Sequence, residues 1–361
     1  TMVVLSLAAS QLGPRLIKTF MSNQRTKDYF GMFFATVVAC FVLTIILHSR
    51  NTSSFTPQIT ISLVFMMCFI NLFVLLGFVH HVAQSCIADN VIKQVADDLK
   101  DALCRLTTNG TTDNEESQKD TSDWPEDFEE KSKKLIFEQS GYVQLIDYEQ
   151  LLDIATDNDL YIRINFKAGH FLIQQEESVF VRYPSKPSEV ISDVIINRIK
   201  ETFIIGDTRT QTQDIEYSIR HLVEIAVRAL SPGINDSFTA ISVLDKLSEA
   251  MAILFEKQTR SDKIIDDKGT KRIEAISSDE ADIIFTAFDQ IRYNAQTMPS
   301  VMRHLLKILK VLSEMAEKNS ARSALRVQAE GVKQSLNSLK AYVPDHKQLE
   351  QQTEDLIKAL S

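Results

Sequence analysis

No cysteine follows Cys104 in this chain of 361 residues; the four present are Cys40, Cys68, Cys86 and Cys104. None has metal-ligand spacing, and the C-terminal two-thirds has no cysteine with which to build a disulfide framework. That fits a reducing compartment. Basic charge is also short, with 39 Lys and Arg against 48 Asp and Glu. The shortage is uneven: residues 1–106 carry a net +3 and the remainder a net −12. A soluble part this acidic cannot displace the counterions of a polyanion, which argues against nucleic acid as a partner. A secretory signal is missing as well. The opening Met2-Val-Val-Leu-Ser-Leu-Ala-Ala-Ser has neither a basic segment before it nor a small-residue cleavage site after it. It is uncharged up to Arg15 and too short to cross a bilayer alone. It reads as the end of a helix over residues 1–22, with further membrane segments expected upstream.

What is present is apolar. Tyr29–Leu47 and Ile59–Val79 contain no charge, and Asn71 is the strongly polar member of the second. At about 1.5 Å per residue each covers roughly 28–32 Å, enough for the hydrocarbon core. Two buried helices of a soluble protein would pass the same test, but two uncharged runs joined by about ten polar residues read better as spans. Arg15, Lys18, Arg25 and Lys27 precede the first span, whereas the connection between the spans carries only Arg50. Positive-inside then places the short loop outside and everything after His80 in the cytoplasm. From His80 the chain continues with Val82, Ile87, Val91, Val95, Leu99 and Leu103 mostly at four-residue steps. This predicts an amphipathic helix prolonging the second span to about Leu106.

Thr107–Glu130 holds nine acidic residues against one Lys and little apolar material, so it reads as an acidic flexible linker. Residues 131–184 then alternate like a β-rich module, with strands near Tyr142–Ile146, Leu160–Phe166, Phe171–Ile173 and Ser178–Arg182. Their order resembles the barrel-sandwich modules that carry biotin or lipoate, but Lys167 in Phe-Lys-Ala-Gly is not the modified motif. That argues against a carrier role. Residues 185–361 read as mainly helical, broken at Ser231-Pro-Gly-Ile-Asn-Asp, by a hairpin over Ile264–Ile276 turning at Asp267-Lys-Gly, and at Pro299 and Pro344. A positive φ at Gly233 and an N-cap at Asn235 or Asp236 are expected at the first of these breaks. The fold class is a membrane α-helical N-terminal region followed by a cytoplasmic α+β domain.

Four strings, Ala8-Ala-Ser-Gln-Leu-Gly-Pro-Arg-Leu, His80-His-Val-Ala-Gln-Ser with Ala88-Asp-Asn-Val-Ile, Ser140-Gly-Tyr-Val-Gln-Leu-Ile-Asp, and Ala229-Leu-Ser-Pro-Gly-Ile-Asn-Asp, occur in order over about residues 1–255. In these the chain resembles the bacterial predicted membrane protein family catalogued as domain of unknown function 2254. Ser237 stands where family members usually have Pro. The resemblance implies a multi-pass protein of the bacterial inner membrane with two further spans upstream, and it implies no activity.

Two groups of residues are candidate sites. Asp207, Arg209, Asp214, Arg220, Arg228, Asn235 and Asp236 form the densest polar cluster, with Glu216, Arg220, Glu224 and Arg228 at four-residue steps on one helix face. Such an alternation is ordinarily a solvated ion-pair stripe; the sharper reading is an anion site or subunit contact. At the membrane exit, Asn71, His80, His81 and Gln84 are either interfacial polar residues or, when subunits associate, pore-lining or contact positions. Adjacent histidines on a helix point about 100° apart and do not share a metal readily. No nucleophile with its base, metal set or cofactor motif is evident, and Ser231 before Pro232 is a turn residue. The sequence therefore reads as a non-enzymatic, cofactor-free membrane anchor or sensor in a lipid bilayer, oligomeric with itself and binding an unidentified protein partner. The alternative is an oligomeric channel or transporter-like pore gated by the cytoplasmic domain.

Overall fold

The computed structural model describes residues 23–49, 58–85, 87–108, 128–183, 190–256, 263–338 and 346–360. The helix expected over 1–22 and most of the acidic segment (109–127) lie outside the described residues. Two helices, α1 (Gln24–Ser49) and α2 (Gln58–Ser85), form an antiparallel hairpin and are long and apolar enough to cross a membrane. Tyr29 and Phe33 pack on Phe78, Thr26 Oγ1 meets His81 Nε2 (3.2 Å), and Cys40 Sγ lies 3.7 Å from Cys68 Sγ. Phe34, Phe41, Phe65 and Leu76 point outward and exposed, a surface that suits lipid and would be costly in water.

The second span does not run on as one helix. It ends at Ser85, and α3 (Ala88–Thr108) begins after a break. The carbonyl of Gln84 accepts from the Ile87 N–H (3.3 Å) and from Asn90 Nδ2 (2.8 Å), and Gln84 Oε1 accepts from the same amide (3.2 Å). A short polar side chain that competes for backbone partners suits such a corner. The break frees α3 to turn its apolar stripe, Val91, Ile92, Val95, Leu99 and Leu103, into a core made by later helices.

The sheets draw on more of the chain than the 131–184 module expected from sequence. The strands are β1 (Lys133–Leu135), β2 (Gly141–Ile146), β3 (Tyr161–Ile164), β4 (Phe171–Leu172), β5 (Val179–Arg182), β6 (Phe203–Gly206), β7 (Lys263–Ile265) and β8 (Lys271–Ala275). One sheet has the order β1-β5-β3-β8-β7, antiparallel except for the parallel pair β3–β8; the other has the order β4-β2-β6. The module therefore does not close as a barrel-sandwich of its own, because residues beyond 200 supply three of its strands. The reason lies in the pairing. The inner edge of β3 is completed by β8, with Ile162 opposite Ile273 and Arg163 bonded to its register partner Glu274 (2.6 Å). Two helices, α4 (Tyr148–Asp157) and α5 (Asp193–Glu201), bury Leu151, Ile154, Ile196 and Ile199 in the same core, where Phe137, Phe166 and Phe203 meet edge to face.

The second core is helical. It is built from α3, α6 (Ile215–Ala229), α7 (Ser237–Glu256), α8 (Glu280–Asn294), α9 (Pro299–Met315), α10 (Asn319–Ser338) and α11 (His346–Ala359). In one row, α6, α8 and α10 run side by side in the same direction, as Glu216 near Ser278, Ser320 near Asp279 and Gln328 near Arg292 show. In a second row, α7 and α9 run the opposite way, with Ser237 near Met298 and Asp245 on His304. One edge is closed by α3 against α6 and α7, the other by α11 against α10 and α9.

Candidate functional site

The loop before α6 joins the two cores. Gln213 takes the place of a strand partner beside β2: its Oε1 accepts from the Ile146 N–H (2.8 Å) and its Nε2 donates to the Ile146 carbonyl (2.9 Å). Thr210 Oγ1 donates to the Gln144 carbonyl and Gln144 Nε2 to that of Thr208. Asp214, 4% exposed, caps α6 by accepting from the Tyr217 N–H (3.0 Å), and its other oxygen accepts from Arg209 Nε (2.7 Å). Burial pushes the Asp214 carboxyl above its ordinary range, and Arg209 only partly offsets this. Arg209 also lies over the Tyr217 ring, 5.8 Å from its centroid. The pair rests on Gly169, whose φ of +85° and close approach leave no room for a side chain.

Glu216 is not part of a solvated stripe. It is 12% exposed and accepts from Lys167 Nζ (2.5 Å), which also donates to Ser278 Oγ (3.0 Å). Burial opposes its ionisation, but Lys167, Arg220 and Arg209 more than offset that and hold the carboxyl below its ordinary value. Lys167 is thus a tether between the sheet and the first helices of the bundle. Its lone position in a loop carried no sequence signal for this role.

The structure separates the polar residues expected to cluster. Arg209 and Asp214, in the loop before α6, gather at its start with Glu216 and Arg220, and Asp207 is exposed in the same loop. Arg228, Asn235 and Asp236 lie at the other end, because 15 helical residues at about 1.5 Å each set them roughly 20 Å away. There, Asp236 is the cap of α7. Its Oδ1 accepts from the Phe238 and Thr239 N–H groups (3.1 Å each) and its Oδ2 from the Thr239 hydroxyl (2.6 Å). The Thr239 hydroxyl above all, opposed by burial and helped by the two N–H groups, keeps its pKa below the ordinary value. Asn235 carries the positive φ of the corner (+53°), whereas Gly233 has open space around it and no positive φ. The expectation for Gly233 is therefore corrected: the strained position falls on an Asn, a residue that tolerates the left-handed region. Ser231 donates to the Arg228 carbonyl (2.6 Å), a turn role.

Between the two ends runs an open groove of about 680 Å³ between α6 and α8. Val223, Val227 and Phe285 give it an apolar floor; Arg220, Glu224 and Arg228 line one side and Thr286, Asp289 and Gln290 the other. The guanidiniums are neutralised in place, Arg220 on Glu216 (3.4 Å) and Arg228 on Glu224 (3.2 Å), as Arg209 is on Asp214. That pairing weakens the anion-site reading of these three arginines. Asp289 is engaged by Arg292 (3.1 Å) and Gln328 (2.7 Å). Val223 and Val227 each precede a charged member of the four-residue ladder, a signal that the groove side of α6 is amphipathic.

In the hairpin, His81 faces α1 through Thr26 and Tyr29, while His80 is exposed. Gln84 serves the corner before α3, so these polar residues do not converge within one chain. Asn71 falls at the level of Thr36, given the Cys40–Cys68 and Thr26–His81 pairings. Its Oδ1 is buried and has no hydrogen-bond partner among the described residues. Among the described residues no group of three or more His, Cys, Asp and Glu could hold a metal ion.

A helical hairpin apolar on its outer face, followed by a mixed sheet-and-helix region, defines a predicted membrane protein with an α+β domain. The family described as Predicted membrane protein (DUF2254) matches residues 1–311, and the chain belongs to it. Similar proteins include the "Uncharacterized protein Rv1290c" of Mycobacterium tuberculosis (strain H37Rv) and the "Uncharacterized protein Mb1321c" of Mycobacterium bovis. Each is 25% identical over 334 residues, covering 91% of this chain. The chain spans 62% of the length of these relatives. No solved structure matches it.

Proposed function

We propose that this protein is a membrane-anchored sensor or adaptor whose helical bundle receives a segment of a protein partner in the groove between α6 and α8. The observation that carries this reading is the groove itself, with its apolar floor and with rim charges already paired. A helix or extended peptide can cover Val223, Val227 and Phe285 and exchange polar contacts with both rims, as amphipathic segments do in grooves. A photo-crosslinking residue at Val227, in the intact chain in its own membrane, should yield one dominant protein adduct, while the same residue at exposed Ile173 should not. Adducts equal at both positions, or at neither, would refute the groove as a binding site. An adduct of twice the chain's own mass would make the partner a second copy.

The domain is proposed to face the cytoplasm, on the strength of Arg25 and Lys27 before the first span against Arg50 between the spans. A cysteine at Ser53 should react with an impermeant thiol reagent added outside intact cells and one at Ser117 should not; the reverse would invert the orientation.

Self-association is supported by Asn71, since an amide oxygen without a partner favours a further helix beside the hairpin. A pore on the axis of such an oligomer is the second reading. The particle mass in detergent tests association, and currents in planar bilayers, altered in His80→Ala and His81→Ala, test conduction. A monomer silent under voltage and tension would end the pore reading.

A further inference from the structure

The charges on the open face of α6 alternate in sign. Glu216, Arg220, Glu224 and Arg228 stand at four-residue steps, and the last three line the groove. They are held unequally within the chain. Lys167 takes one oxygen of Glu216 at 2.5 Å, so Arg220 reaches only the other, at 3.4 Å, and 52% of its side chain stays exposed. Arg228 meets Glu224 at 3.2 Å. Four-residue pairs of this kind at a surface are weak and exchange at little cost.

A neutral face patterned in this way favours no single ion. It favours a partner whose charges alternate at the same spacing, and a second copy of α6 has that spacing. Laid antiparallel, with a two-fold axis level with residue 222, the second copy sets its Glu224 opposite Arg220 and its Arg228 opposite Glu216. Symmetry supplies the reciprocal pairs. In a parallel pair about a two-fold axis every charge would meet its own kind.

The apolar floor falls at the same level. Ser278, just before α8, lies on Glu216 (3.5 Å), and seven residues further along each chain segment Phe285 comes level with Val223, where the two line the groove together. The apolar centres of the two copies therefore meet near the axis with the alternating charges around them, a packed core inside a polar rim. Two chains anchored in one bilayer can pair in this sense, because a two-fold axis along the membrane normal carries one hairpin onto the other.

We infer that the partner received by the groove is a second copy of this chain, joined through an antiparallel contact of α6 with α6; this rests on the proposal that the groove is a binding site.

The test uses the intact chain in its own membrane with the photo-crosslinking residue at Val227. The original chain should give an adduct of twice its own mass. Arg220→Glu alone, or Glu224→Arg alone, sets like charges opposite each other on both sides of the axis and should cut that adduct about fivefold. Co-expressed, the two variants restore opposite charges across the axis and should bring the adduct back to within about twofold of the original. An adduct of twice the mass that neither reversal reduces, or that co-expression does not restore, would overturn the antiparallel contact. A dominant adduct with a different protein would overturn this inference and leave the groove a binding site, while no adduct at all would sink both. Should either reversed chain fail to fold, disulfide trapping decides. Differently tagged Arg220→Cys and Glu224→Cys chains should join under mild oxidation, well above the background from the native cysteines. Arg228→Cys chains should not join to each other, since the antiparallel pair sets them roughly 18 Å apart along the helix. The reverse pattern would overturn the inference.

Discussion

The two ends of α6 are built by opposite means. At its start, Arg209, Asp214, Lys167 and Glu216 are largely withdrawn from water and each charge is paired, Lys167 reaching across to Glu216 on α6 and Arg209 closing on Asp214 in the loop before it, over a glycine without room to spare. At its end, the corner from Ser231 to Asp236 is held by its own backbone and by one cap, and its apolar side chains project outward. A junction made of buried pairs is intolerant because removing one partner strands the other. A corner that satisfies itself locally is tolerant and leaves its surface available for contact.

Substitutions at the two ends test that contrast. Gly169→Ala should have the largest effect, about 3 kcal/mol, since a Cβ at φ +85° must displace the Asp214–Arg209 pair. In a domain of this size that is a fall of about 9 °C in melting temperature in detergent. A fall below about 3 °C would mean the junction yields more easily than the packing indicates.

Next come the two caps. Asp214→Ala should cost about 2 kcal/mol, the cap plus a half-buried Arg209 left unpaired. Asp236→Ala should cost about 1 kcal/mol, the cap alone. Equal losses would erase the difference between the ends.

Glu216→Gln should cost about 1 kcal/mol at neutral pH and be pH-dependent. Folded Glu216 binds its proton less readily than the unfolded chain does. Its contribution is therefore complete above the ordinary value of 4.5 and is lost as pH falls through its lower folded value. Melting temperatures of the variant and the original chain should differ at pH 7 and converge as pH falls below 4.5 and through that lower folded value. A gap that is constant across pH would assign the effect to packing. Asp214 has the opposite sign: its raised pKa favours the folded state as pH falls.

The smallest effect is expected at Gly233. Gly233→Ala should change the melting temperature by less than about 2 °C, because nothing lies near its Cβ position and its φ is not positive. A large fall would show that the corner packs against a surface absent from the single chain.

Much of the helical frame was legible from residues alone. The two apolar runs, the amphipathic stripe from Val91 to Leu103, and the punctuation at Pro299 each follow from local composition. The strand at Lys271–Ala275 was legible as a hairpin arm, but its parallel partner β3, over a hundred residues earlier, was not, because pairing between distant strands leaves no periodic trace. The polar cluster shows the same limit. Its members are close in sequence, yet helix length parts them and Lys167 and Ser278, remote in sequence, join them.

Sequence by itself determined where the chain can enter a bilayer, which side its basic residues favour, and which helix faces are apolar, because these depend on runs and periods of neighbouring residues. Tertiary structure decided that α2 breaks before α3, that Asn235 rather than Gly233 carries the left-handed turn, that Glu216 is buried against Lys167, and that the groove between α6 and α8 has a floor. Each of those depends on which distant surfaces meet, and burial, not local order, sets the energy of a charge or a turn once they do.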